Sequence, residues 1–94
     1  MHILVRVELH AATTAAQYET LHRAMEGVGF QRTIPGGQGS QWELPTASYY
    51  SNAYNNVEQA KNAAWQAARG VATAQAVIAS GHFIAWEGLR RINN

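Results

Sequence analysis

The stretch "HILVRVELH" at residues 2–10 alternates without a break: Ile3, Val5, Val7 and Leu9 fall on one side, and His2, Leu4, Arg6, Glu8 and His10 on the other. A repeat of two with β-branched residues on one side marks a half-buried strand, because a helix would scatter those residues around its circumference. The strand constrains everything after it. Its apolar side has to be covered by elements drawn from the rest of a 94-residue chain, a length that suits one domain over residues 1–94.

Two segments offer that cover. Thr14 followed by Gln17 has the spacing of a capping box, and it opens an apolar series at Tyr18, Leu21, Met25 and Val28. Gly27 and Gly29 close that helix, since glycine tolerates the left-handed backbone of many helix ends. "NNVE" at 55–58 reads as a second capping box with Asn55 as cap. The stripe after it, Val57, Ala60, Ala64, Ala67, Ala68 and Val71, is nearly all alanine, which lets a helix lie close to a sheet. Its end is expected between Ala68 and Ala72.

Between the helices, "FQRTI" at 30–34 and "QWELP" at 41–45 read as strands joined by the turn "PGGQGS". "TASYYSNAY" at 46–54 reads as a loop. "AQAVIAS" at 74–80 is a further strand, and "FIAWEGL" at 83–89 a last short one. The order is then β-α-β-β-α-β with an extra C-terminal strand. That is the ferredoxin-like split βαβ arrangement of α+β proteins, with both helices on one face of an antiparallel sheet. The opposite face is left open, and a homodimer is the expected way to hide it.

Charge and composition exclude several classes. There is no cysteine, so disulfides, thiolate metal sites and cysteine nucleophiles are out. No apolar run reaches the roughly 18–20 residues of a membrane span. The opening lacks a basic leader or cleavage site, so the expected location is the cytoplasm. A net charge of +1 and no basic run beyond Arg90-Arg91 argue against strong non-specific nucleic-acid binding. The four histidines have no ligand-type spacing and there is no aspartate, so neither a metal nor another cofactor is expected.

Acid–base chemistry is the alternative. Cutting RNA without a metal takes a base for the 2′-hydroxyl, an acid for the leaving 5′-oxygen, and a cation for the phosphate charge. Histidine titrates near neutrality, and the arginine fork matches phosphate oxygens. His10 ends the first strand, Glu8 and Arg6 share its face, and Arg32 on the neighbouring hairpin could join them as a phosphate contact. The same residues also suit a polar patch at a dimer interface, with Arg6 paired to Glu8 or Glu43. Tyr49 and Tyr50 in the 46–54 loop are the candidate platform on which single-stranded RNA bases would stack. His22 sits at the border of the first helix's apolar stripe and reads as a structural cap on the core.

"VRVELH" at 5–10, "YETLHRAMEGVGFQRTI" at 18–34 and "WELPTASYY" at 42–50 resemble the GhoS family of small antitoxin endoribonuclease-like proteins. That family is related in fold to the VapD ribonucleases and the small CRISPR-associated adaptation subunit. The resemblance covers the first half of the chain well and the second half in layout. It implies a ferredoxin-like dimer with facing sheets, and toxin–antitoxin-type endoribonuclease activity on single-stranded RNA such as a toxin mRNA. Where VapD and the CRISPR-associated subunit carry an aspartate after the first strand, this chain has Glu8 and His10, which points to a metal-independent version. The competing expectation is a dimeric module that binds protein or nucleic acid without cutting.

Overall fold

The computed structural model describes residues 1–10, 14–72, 75–81 and 84–92. β1 (Ile3–Leu9) lies between β4 (Ser48–Ser51) and β5 (Gln75–Gly81), antiparallel to both. The register sets Val5 opposite Tyr49 and Ala79, and Leu4 opposite Tyr50 and Ser80. A second antiparallel sheet has the order β2 (Thr33–Pro35), β3 (Gln41–Glu43), β6 (Arg90–Arg91). The sheets are linked at Gln31 and Tyr50, which exchange both backbone hydrogen bonds at 2.8 Å. With α1 (Ala15–Gly27) and α2 (Val57–Arg69), the chain is a small α+β protein.

The helix ends follow from local chemistry. Thr14 Oγ1 accepts the Gln17 N–H at 3.2 Å while Gln17 Oε1 accepts the Thr14 N–H at 2.9 Å, a complete capping box. At the other end of α1, the Phe30 N–H reaches the Met25 carbonyl and the Gly29 N–H the Glu26 carbonyl. This is a Schellman closure, and it needs Gly29 at φ +94°. Phe30 and Met25 then meet in the core, the apolar contact that such closures favour. α2 is capped by Asn56, whose side chain accepts the Gln59 N–H at 2.8 Å, and not by Asn55. The two asparagines give overlapping patterns, Asn55–Glu58 and Asn56–Gln59, and only the helix register separates them.

Ile3, Val5, Val7 and Leu9 form one core with Leu21 and Met25 of α1 and Ala60, Ala64 and Ala68 of α2. The three alanines are completely buried, so α2 approaches closely enough to leave no exposed side-chain surface on them. A smaller cluster gathers Ile34, Leu44 and Tyr50, with Leu4, Trp42, Ile84, Trp86 and Leu89 packed against it. Leu4 and Tyr50 are register partners that join this second cluster, whereas their neighbours Val5 and Tyr49 belong to the first.

Three expectations are corrected. Residues 46–54 are not all loop: Ser48–Ser51 form β4 inside the main sheet, with all four residues buried. Serine and asparagine disguise the strand in the sequence, while the paired tyrosines, which favour strands, supply its apolar content. Among the described residues of 83–89 there is no strand; Gly88 takes φ +83° and the chain pairs only afterwards, as β6 against β3. Ile84, Trp86 and Leu89 instead pack their side chains into the second cluster. The face of the sheet away from the main core is therefore covered in part by the chain itself.

Candidate active site

β1 delivers the candidate residues by its alternation. With Ile3, Val5, Val7 and Leu9 held in the core, Arg6 and Glu8 point to the opposite, exposed side. His10 follows the end of the strand, and its Nε2 lies 3.1 Å from Glu8 Oε1. Both side chains are at least half exposed, so the pair costs little desolvation and adds little stability. It leaves Nδ1 of His10 facing no partner among the described residues.

Arg6 and Glu8 line one hollow of about 240 Å³, together with Tyr18, Thr46, Ala47, Ala76 and Ile78. Its wall includes a backbone outlier: Ala47 sits at φ +69°, a left-handed conformation uncommon for a residue with a Cβ. The Ala47 carbonyl accepts the Val7 N–H at 2.9 Å, which ties this turn to β1 beside the candidate residues. The Arg6 side chain makes no hydrogen bond or ion pair among the described residues. The interface pairings suggested by sequence are not formed within the chain: Glu8 is taken by His10, and Glu43 by Arg90 at 3.4 Å. Thus Glu8 meets His10, and Arg6 shares a hollow with Glu8 that His10 does not line.

Arg32, Tyr49 and Tyr50 do not join them. Arg32 acts on the other histidine: its positive charge, second to burial, holds the His22 pKa below the usual 6.5. Glu19 and Glu26 oppose that shift. His22 is 8% exposed, and its Nδ1 lies 2.6 Å from the Tyr49 hydroxyl. Burial pushes the Tyr49 pKa well above its usual value, so the phenol stays protonated and shares a hydrogen bond with the imidazole. The structural role expected of His22 matches this geometry. Tyr49 and Tyr50 are buried, so neither offers an open ring face for a base to stack on, contrary to the loop reading.

One contact was not legible in the sequence. His2 Nδ1 meets the Tyr50 hydroxyl at the rim of a second hollow, lined also by Ile34, Pro35, Ile84 and Trp86. Alternation places His2 on the same side as Leu4, but reading 46–54 as a loop hides its partner. Among the described residues, no three His, Asp, Glu or Cys side chains gather in one place. No helix there is long and apolar enough to cross a membrane. Comparison of the chain with protein-family models, with curated proteins and with solved structures finds no match.

Proposed function

We propose that the protein is a metal-independent endoribonuclease acting on single-stranded RNA, with the Glu8–His10 pair and Arg6 as its chemical groups. The observation that carries this reading is the 3.1 Å contact between Glu8 and His10 beside an unpaired arginine. Glu8 holds the imidazole through Nε2, so Nδ1 takes the 2′-hydroxyl proton. The 2′-oxygen bonds to phosphorus, the bond from phosphorus to the 5′-oxygen breaks, and the imidazolium returns the proton to that oxygen. Arg6 offsets the charge that builds on the phosphate oxygens. The products are a 2′,3′-cyclic phosphate and a free 5′-hydroxyl.

The finer fold assignment belongs to the same proposal. A ferredoxin-like sheet is supported by the strand order β5-β1-β4 with the isolated bridge from Gln31 to Tyr50 beside it. We also propose a homodimer, cytoplasmic location and a toxin mRNA as target, all in keeping with the GhoS-type resemblance. The test is incubation of purified protein with a single-stranded RNA oligonucleotide in excess chelator. Cleavage to cyclic-phosphate ends is expected, and His10→Ala should lower its rate by about 100-fold or more without moving the thermal midpoint. Equal cutting by both proteins would overturn the assignment. A second reading, a module that binds without cutting, is favoured by Ile78, which is 67% exposed on β5 opposite Arg6.

A further inference from the structure

We propose that the apolar cavity next to Arg6 is a seat for one RNA base, that of the nucleotide adjoining the scissile bond. The proposal rests on the ribonuclease reading of Glu8 and His10 and adds to it a substrate-binding subsite. The cavity measures about 390 Å³ and is walled by Leu4, Ile34, Leu44, Ile84 and Trp86, with Arg6 at its edge. That volume lies at the small end of ligand sites, suited to one compact group and not to a chain of them.

Its position relative to the chemistry is the main argument. Arg6 and Thr46 line both this cavity and the hollow that contains Glu8. A phosphate held by Arg6 therefore has apolar walls on one side and, on the other, the hollow lined by Glu8, the partner of His10. A nucleotide has that same division of properties: a flat, weakly hydrated base joined through ribose to an anion. Arg6 is free to bind the anion, since nothing among the described residues pairs with it.

Trp86 supplies the aromatic wall against which a base would stack. Trp42 packs against it in a tilted arrangement, with ring centroids 6.4 Å apart. The adjoining hollow of about 290 Å³ shares Ile34, Ile84 and Trp86, but no guanidinium lines it. The cavity beside Arg6 is therefore the one that matches a base and a phosphate together. This reassigns the stacking role from Tyr49 and Tyr50, whose rings are buried, to Trp86.

The test titrates the full chain with the four ribonucleoside 3′-monophosphates, with ribose 5-phosphate and with inorganic phosphate, following tryptophan fluorescence. The mononucleotides should quench the emission, and Trp86→Phe should remove the response. Ribose 5-phosphate and phosphate should bind at least about tenfold more weakly, reflecting the missing base. Ala85, an exposed residue of the cavity wall, gives the filling variant: Ala85→Phe should weaken mononucleotide binding by about tenfold or more. Equal binding of mononucleotides and ribose 5-phosphate would overturn the base site, and that comparison needs no variant to fold. Cleavage of RNA without base-dependent binding would overturn the base site and leave the ribonuclease reading intact. Base-dependent binding without cleavage would sustain the site and remove the ribonuclease reading.

Discussion

The two sides of β1 meet very different surroundings. Ile3, Val5, Val7 and Leu9 are between 0% and 6% exposed, sealed by Leu21 and Met25 of α1 and by the alanine face of α2. One residue out of phase, Leu4 joins a smaller cluster bordered by cavities, and Arg6 and Glu8 remain exposed. The difference teaches where this chain can carry function. A close-packed face has no room for a ligand and tolerates little change. A face covered only in part keeps its charges solvated and leaves hollows beside them.

The buried side should show the largest effects. Val5→Ala removes methyl groups from a site that cannot collapse, and a loss of about 2 kcal/mol is expected in urea denaturation. Leu4→Ala deletes more carbon, yet it borders existing space, so about half that loss or less is expected. A larger loss at Leu4 than at Val5 would break the comparison.

The tyrosine pair sharpens it. Tyr49→Phe leaves the Nδ1 of buried His22 without its partner, and about 1–2 kcal/mol should be lost. Tyr50→Phe frees only the exposed His2, which water can satisfy, so its effect should be a few tenths of a kcal/mol at most.

The smallest expected effect is pH dependence. The folded-state pKa of His22 lies below its unfolded value near 6.5, so the unfolded chain binds a proton first as pH falls. The stabilisation from a neutral His22 is complete above about pH 6.5. It declines as pH drops through the window down to the folded pKa, where the loss levels off. Thermal midpoints between pH 7.5 and 5 should follow that slope in the wild type, and His22→Gln should remove the His22 part of it. An unchanged slope in the variant would place the titration elsewhere.

Much of this was legible locally. β1, both helices and the Thr14 and Gly29 closures depend on interactions within a few residues, and the chain states them through alternation, stripe spacing and capping patterns. The face shared by Arg6, Glu8 and His10 follows from the same alternation. β4 was not legible, because Ser48 and Ser51 favour loops in isolation and become strand residues only when β1 supplies hydrogen-bond partners and burial. The segment after β5 misled for the related reason that Ile84 and Trp86 alternate like a strand but bury their side chains without pairing an edge.

The sequence by itself therefore determined which side of β1 is apolar, where α1 begins, and that His10 shares a face with Glu8 and Arg6, while the start of α2 waited for the helix register. Only the tertiary structure decided what covers each face. It buried Tyr49 and Tyr50, set Arg32 against His22, and brought Trp86 beside Arg6 from the far end of the chain. Periodicity fixes a residue's side of its own element, whereas the occupant of the facing space depends on contacts between segments distant in sequence, which no local pattern records.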